Sequence, residues 1–365
     1  MDVLTGGGGF LGWHVRALAL ARGLDAPRML AVGARAGSDP DDAARVVSGA
    51  DRVLHLAGIN RGPDHAVRDG NVAFARQVAD AVRRAGTPPR EIVVANSVQA
   101  GNGTPYGDGK ERAAALLQEA ADAVGASFVD LHLPNLFGEH GRPDHNSVVA
   151  TFCDRLARGV LPVVEVDREL ALLSAQTAAE FVLGERPAAD LADAPTPRRV
   201  SEVLDELVDL HREHVGAGMP ALDGGWRRDL FNALRSSGPR PARAVPLDAH
   251  ADPRGAFHEV VRSPGGGGQA SFSSTVPGVT RGEHFHRRKV ERFCVVDGEA
   301  VLRLRRVLTR EVVEIHVTGD APVAVDMPTL WTHSLVAVGD RPVRTVFWVD
   351  EPFDPAHPDT FLEPV

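Results

Sequence analysis

The chain has 365 residues, of which 43% are hydrophobic, and a formal net charge of −9 at pH 7. This apolar share excludes a disordered chain, and the negative charge disfavours nucleic acid or an anionic membrane as a partner, because both attract basic surfaces. The length suggests two domains, and no apolar run approaches the roughly 20 residues that span a bilayer. With only two cysteines and a strand expected at the very start, we predict a cytoplasmic protein without disulfides or a signal peptide.

The first predicted element is a short strand at residues 2–4, which runs into a glycine-rich turn and a helix over residues 13–21. Glycines at every third position of the turn would let the backbone approach a pyrophosphate at the positive end of the helix dipole. A glycine turn directly after the first strand is a specific signal for dinucleotide binding. The predicted cofactor residues here are Thr5, Gly6, Gly9, Phe10, Leu11 and Gly12.

Strands and helices then alternate up to residue 133. We expect strands at residues 29–33, 53–58, 91–96 and 127–133, and helices at residues 41–47, 71–85 and 110–124. This alternation predicts an α/β, Rossmann-like fold with a doubly wound parallel sheet. The third strand ends in a small-residue turn, Leu56, Ala57 and Gly58, which we also assign to the cofactor.

Arg35 follows the second strand, where folds that prefer NAD usually place an acidic residue. An arginine at this point suits the 2′-phosphate of NADP, so we predict NADP(H) as the cofactor. A solvated loop arginine remains the alternative, because 38 of the 40 basic residues of this chain are arginine.

Tyr106 is the single tyrosine of the chain, and it stands four residues before Lys110, one of only two lysines. The spacing places both side chains on one face at the start of a helix. A tyrosine beside an ammonium group can pass a proton to or from a carbonyl oxygen, and Ser97, at the end of the fourth strand, could hold the same oxygen. We therefore predict Ser97, Tyr106 and Lys110 as catalytic residues.

These motifs together resemble the extended short-chain dehydrogenase/reductase family. The resemblance implies that Tyr106 acts as a general acid, that Lys110 binds the nicotinamide ribose and that Asn135, in the segment 134–138, lies near the substrate. Residues 173–177 depart from the segment that many members carry near the substrate lobe, so the resemblance covers the redox machinery and not this substrate-side segment.

Residues 236–241 are rich in serine, glycine and proline and predict a linker. Beyond them the sequence changes to eight short β-rich runs between residues 257 and 349, which predicts an all-β sandwich or barrel. We therefore expect a reductase domain at residues 1–238 and a β domain at residues 243–365.

The β domain contains a candidate metal site. His284 and His286 form a His-x-His pair, Glu291 follows five residues later, and His333 lies far downstream. Three imidazoles and a carboxylate suit Zn, Mn, Fe or Ni, whereas a His-x-His pair alone is often a surface feature. The complete spacing resembles the motif pair of the cupin family, from which Leu330 and Ala337 depart.

Two further strings, at residues 252–259 and 278–282, resemble the sugar-nucleotide 3-epimerases of the cupin class. That resemblance implies substrate contacts at Arg254, Phe257 and Arg281, and a base that removes a proton beside a 4-keto group. Lys289 follows the His-x-His pair closely, and a buried lysine near a cation becomes a usable base. The alternative is an exposed charge in the run 287–289.

Over its whole length the chain resembles the CapF-type family of bifunctional capsular polysaccharide enzymes, in which a reductase domain is fused to a metal cupin (jelly-roll) domain. Residues 134–138, 146–153 and 353–360 carry specific strings of this resemblance. It implies C3-epimerisation of a UDP-2-acetamido-2,6-dideoxy-4-ketohexose, then NADPH-dependent reduction at C4, on the route to UDP-N-acetyl-L-fucosamine. It also implies zinc in the cupin and a homodimer.

Three alternatives stay open. The cupin could serve only sugar binding or dimerisation, the substrate could be a dTDP-linked sugar, or both sites could be inert in an NADP-sensing protein. The last is the weakest, because the scarce tyrosine and lysines all fall on catalytic positions.

Overall fold

The structure is a computed structural model that describes residues 1–33, 39–214, 218–222, 224–238, 243–252, 255–263 and 267–365. The chain divides into two compact units. The first consists of residues 1–137 and 169–198, and the second of residues 138–168 and 199–365.

The first unit is built on a five-stranded parallel sheet with the strand order β2-β1-β3-β4-β5. Its strands are β1 (Val3–Thr5), β2 (Arg28–Met29), β3 (Arg52–His55), β4 (Glu91–Ser97) and β5 (Ser127–Leu133). Its helices are α1 (Phe10–Ala21), α2 (Pro40–Val47), α3 (Asp64–Arg84) and α4 (Pro105–Val124). The predicted doubly wound fold is confirmed, and the order of the strands reverses between β1 and β3, where such sheets bind ligands.

Several predicted boundaries were wrong. β2 is only two residues long, and α3 and α4 begin seven and five residues earlier than the hydrophobic periodicity suggested. Thr104 explains the start of α4, because its side-chain oxygen accepts a hydrogen bond from the amide of Gly107 and Pro105 follows at the first helical position.

Apolar side chains cover both faces of this sheet. One cluster joins it to α2, α3 and α4, and a second joins it to α1 and to α6 (Ala175–Val182). A three-stranded sheet of β6 (Asn135–Phe137), β7 (Glu169–Ser174) and β8 (Thr196–Arg199) lies next in the chain. These cores hold the carboxyl ends of β1, β3 and β4 in place.

The second unit combines three helices with the β domain. The helices α5 (Val148–Ala157), α7 (Val200–Glu213) and α8 (Gly225–Arg235) pack on one another. In the described part of the chain, no helix is both long and apolar enough to cross a membrane.

The β domain contains two five-stranded antiparallel sheets, which confirms the predicted all-β fold. One sheet has the order β12-β19-β14-β17-β9 and the other β16-β15-β18-β13-β20, and β10 and β11 form a separate hairpin. The strands are β9 (Arg243–Pro246), β10 (Ala249–Asp252), β11 (Gly255–His258), β12 (Gln269–Thr275), β13 (Thr280–Phe285), β14 (Glu291–Asp297), β15 (Glu299–Arg306), β16 (Val312–Thr318), β17 (Val323–Met327), β18 (Trp331–Ala337), β19 (Val343–Val349) and β20 (Phe361–Leu362). Buried side chains of β14, β15, β17 and β18 form one apolar core between the sheets.

Candidate functional sites

The glycine turn between β1 and α1 is closed so tightly that two of its glycines cannot carry a side chain. Gly6 has φ +70°, and a Cβ atom there would lie 2.6 Å from the amide nitrogen of Ala57. A Cβ on Gly12 would lie 2.2 Å from the carbonyl oxygen of Gly6. Gly9 caps α1 without a side chain, so the first amides of the helix remain available to an anion. This turn fits the pyrophosphate of a dinucleotide.

Thr5 joins the end of β1 to the end of β3. Its hydroxyl lies 2.9 Å from Nδ1 of His55 and accepts hydrogen bonds from the amides of Leu56 and Ala57, both at 3.2 Å. Burial, with help from the charge of Lys110, lowers the pKa of His55 to about 3, so the ring is neutral. His55 was not predicted as a site residue, and its one sequence signal is weak: a polar residue inside an apolar strand.

Ser97, Tyr106 and Lys110 come together where β4 ends and α4 begins. Tyr106 and Lys110 stand one helical turn apart, and a hydrogen bond links the side chains of Tyr106 and Ser97. Burial raises the pKa of Tyr106 in spite of this bond, so the phenol keeps its proton at neutral pH. The ammonium group of Lys110 donates a 2.6 Å hydrogen bond to the carbonyl oxygen of Ala95. The arrangement can deliver a proton to a developing alkoxide.

Of the four predicted substrate residues, the structure describes the side chains of Asn135 and Arg281. Asn135 is exposed on β6, and its amide donates a 3.4 Å hydrogen bond to the carbonyl oxygen of Ala171. Arg281 is exposed on β13 and donates to the carbonyl oxygen of Ser274 at 3.2 Å. Arg35 and Arg254, and the side chain of Phe257, lie outside the described residues.

The second site lies inside the β domain. It is formed by four side chains that each offer one ligand atom: His284, His286, Glu291 and His333. These four atoms all lie within 4.8 Å of one another. Oε2 of Glu291 is 3.0 Å from Nε2 of His286 and 3.3 Å from Nε2 of His333. Those three atoms are buried without a well-aligned hydrogen bond, as expected of groups arranged for a metal ion. The donor set suits a divalent transition metal.

Two groups of this cluster, His284 and Glu291, have charges that suit ligation, whereas the contacts of His286 with Glu291 outweigh the effect of burial and raise its pKa. Burial, reinforced by the neighbouring rings of His333 and His286, lowers the pKa of His284 to about 4. Burial alone would raise the pKa of Glu291, but His286 and His333 outweigh it and hold that pKa well below its usual range. A neutral imidazole and an ionised carboxylate are the forms that bind a metal.

Lys289 follows the second histidine of the pair and is only 4% exposed, which rules out the exposed-charge alternative. Its ammonium group donates a 2.6 Å hydrogen bond to the carbonyl oxygen of Pro358 and lies 5.6 Å from the ring centre of Phe353. The second lysine of the chain is therefore buried in the turn between two predicted metal ligands.

Known protein families match both halves of the chain. The NAD dependent epimerase/dehydratase family matches residues 3–177, and the polysaccharide biosynthesis C-terminal domain matches residues 250–361. A reductase of Pseudomonas aeruginosa, named UDP-2-acetamido-2,6-beta-L-arabino-hexul-4-ose reductase, is 29% identical over 368 residues, which is 98% of this chain and 97% of that protein.

Two solved structures extend the comparison. The capsular polysaccharide assembling protein CapF of Staphylococcus aureus is 31% identical, with a TM-score of 0.61 and complete coverage of both chains. A UDP-glucose 4-epimerase of Thermotoga maritima is 14% identical, with a TM-score of 0.52 over 65% of this chain and 98% of its own, and it shows the fold alone. Similarity to the first structure thus runs through the reductase fold and the β domain without interruption.

Proposed function

Because this chain belongs to the CapF family of nucleotide-sugar enzymes in polysaccharide biosynthesis, we propose that it performs two steps on one UDP-linked 4-keto sugar. The β domain inverts C3 of a UDP-2-acetamido-2,6-dideoxy-4-ketohexose, and the Rossmann-like part then reduces the C4 ketone with NADPH. The printed substrate of the Pseudomonas relative, a UDP-linked hexul-4-ose, supports both the carrier and the ketone.

The reduction uses the three residues at the end of β4 and the start of α4. A nicotinamide cofactor in the glycine turn supplies the hydride. Tyr106 protonates the oxygen at C4, since its raised pKa keeps the phenol protonated at neutral pH. Ser97, bonded to the same phenol, orients the ketone oxygen, and Lys110 binds the ribose of the cofactor. NADP is proposed over NAD because of Arg35.

The epimerisation uses the four-ligand cluster and Lys289. A divalent metal, zinc in our proposal, supplies electrostatic stabilisation for the enolate that forms when the C3 proton leaves. Lys289 moves that proton, since it is buried in the turn between two of the ligands. One observation supports this step above all. Four ligand atoms lie within 4.8 Å of one another, in the same chain as Ser97, Tyr106 and Lys110.

The test is NMR of the UDP-4-keto sugar in D2O, first with enzyme alone and then with NADPH. We expect deuterium to enter C3 before NADPH is added. This exchange should be absent in Lys289→Ala. Tyr106→Phe is the matched variant, because it should keep the C3 exchange and lose the reduction by roughly 10²–10⁴-fold.

If C3 stays protonated while NADPH is oxidised, the protein is a ketoreductase whose β domain only binds sugar. Whether the sugar is linked to UDP or to dTDP is tested by comparing how strongly the two free nucleotides compete with the substrate. A homodimer and a cytoplasmic location remain predictions, for which light scattering and cell fractionation are the measurements.

A further inference from the structure

The carboxylate of Asp359, near the end of the chain, binds the turn that follows His286 and contains Lys289. The side chain of Asp359 accepts hydrogen bonds from three successive main-chain amides, those of Arg287 at 3.3 Å, Arg288 at 2.9 Å and Lys289 at 3.0 Å. Asp359 is only 4% exposed. A buried carboxylate that accepts three amides holds the backbone of such a turn in one position.

The same residue also contacts the second histidine of the cluster directly. The main-chain oxygen of Asp359 lies 2.5 Å from Nδ1 of His286. A carbonyl oxygen can only accept, so Nδ1 carries a proton, and in the neutral ring Nε2 then holds the lone pair. That Nε2 atom is the one that faces Oε2 of Glu291 at 3.0 Å. Asp359 therefore selects the tautomer of His286 that can bind a metal.

The backbone of Asp359 adopts a conformation that few residues accept. Its φ is +46°, in the left-handed region, which costs a residue other than glycine roughly 1–2 kcal/mol. Such a conformation persists where the surroundings stabilise it. The surroundings here are the contacts to the ligand turn and the short strand β20, which pairs with β13 so that Leu362 lies opposite His284.

We propose that Asp359 is a positioning residue for the metal centre, and that the C-terminal segment completes the site by setting the orientation of His286. This inference rests on the proposed metal site. Asp359 supplies no ligand atom. Its carboxylate fixes the turn, and its carbonyl oxygen fixes the ring.

The test compares Asp359→Gly and Asp359→Asn with the full-length wild-type protein. Glycine accepts a positive φ and removes the carboxylate without adding strain. Asparagine tolerates the same φ and retains one acceptor oxygen, so it is the conservative variant. Asp354→Asn is the control, because Asp354 lies in the same segment with a half-exposed side chain bonded to His357.

Zinc affinity of the metal-free proteins is measured by competition with a chromophoric chelator, and thermal unfolding without metal is measured beside it. We expect zinc affinity to fall about 10–100-fold in Asp359→Gly and less in Asp359→Asn, with Asp354→Asn within about twofold of wild type. Cobalt(II) substitution adds a spectroscopic readout, since its visible bands change when a ligand ring turns.

An unchanged zinc affinity in Asp359→Gly would overturn the inference, even if its metal-free form melts earlier, because the residue would then serve stability alone. If the wild-type protein binds no zinc, the proposed metal site fails together with this inference. If the wild type and Asp359→Gly bind zinc equally well, only this inference fails.

Discussion

Lys110 and Ala95 are joined by a 2.6 Å hydrogen bond from the side-chain ammonium group to the main-chain oxygen. The lysine is 7% exposed, and burial lowers its pKa from 10.5 to about 8, although the charge of Asp130 opposes this shift. The lysine to which we assign a role in the proposed reduction is therefore held in its charged form at a cost in stability.

This cost predicts that Lys110→Met is more stable than the wild type at pH 7. A depression to about 8 corresponds to roughly 3 kcal/mol, at about 1.4 kcal/mol per pKa unit. At Lys110 the unfolded chain binds more protons than the folded chain between pH 8 and 10.5, so the destabilisation that Lys110 causes decreases as the pH rises across that window. Urea unfolding of both proteins from pH 7 to 10.5 measures the difference, and NADPH oxidation should be lost in the variant.

The stability difference between the variant and the wild type should therefore shrink as the pH rises across the same window. Tyr106 and the two buried cysteines, whose pKa values burial raises, also contribute in this range, but they contribute equally to both proteins. Equal slopes for the two proteins would contradict the depressed pKa of Lys110.

A second prediction concerns the glycine turn. Gly12→Ala should abolish cofactor binding, because the new Cβ would lie 2.2 Å from the carbonyl oxygen of Gly6. Gly8→Ala is the matched control in the same turn, since nothing lies within 4 Å of its Cβ position. Fluorescence titration with NADPH measures both, and retention of binding in Gly12→Ala would refute the assignment of this turn to the cofactor.

A third prediction concerns the metal site. Glu291→Gln should weaken zinc binding by at least about tenfold, because it removes the one charged ligand of the cluster. The C3 exchange should disappear with the metal, whereas NADPH binding should persist. Glu314→Gln is the control, since that carboxylate is half-exposed and bonded to Arg303.

Removal of the metal from the wild-type protein by a chelator should have the same effect on C3 exchange. At free zinc a hundredfold above its dissociation constant, chelation should also lower the unfolding free energy by about 2.7 kcal/mol. Exchange that persists after complete chelation would exclude a metal-dependent epimerisation.

A fourth prediction concerns the interior of the β domain, where the fully buried Arg292 donates hydrogen bonds of 2.7 and 3.0 Å to Asp326. Burial would raise the pKa of Asp326, but its bonds with His214 and Arg292 outweigh this and lower it. Asp326→Asn removes the carboxylate that pairs with this buried guanidinium and should lower the unfolding free energy by about 3–5 kcal/mol.

Urea denaturation measures this loss, and Glu314→Gln should cost less than about 1 kcal/mol in the same assay. Because the pKa of Asp326 is depressed, its contribution is complete above pH ~4 and is lost as the pH falls further. A difference between wild type and Asp326→Asn that stays constant down to pH 2 would count against this ion pair.

The motif residues were the most predictable part of the molecule. The glycine turn, the Tyr106 and Lys110 spacing and the His284, His286, Glu291 and His333 set are all local patterns or known pairs of patterns. The structure brings the last four residues together within 4.8 Å and places the glycine turn, Tyr106 and Lys110 at the carboxyl edge of one sheet. Helix starts were predicted less well, because caps such as Thr104 extend a helix beyond its hydrophobic stripe.

His55 and Asp359 were not found from the sequence. Each acts through contacts with residues about 50 to 70 positions away in the chain, Thr5 in one case and His286 in the other. A single sequence contains no periodicity or spacing that encodes such a pair. His55 is a polar residue inside an apolar strand, which is a weak signal, and Asp359 lacks even that.

The sequence by itself determined the class of each half of the chain and the identity of its chemical groups, because backbone propensity, glycine turns and motif spacing act over a few neighbouring residues. Only the tertiary structure decided which of those groups are buried, which tautomer His286 must adopt and why Lys110 has a depressed pKa. Burial and hydrogen bonding depend on strands that are distant in the chain and adjacent in the fold, as β20 and β13 are.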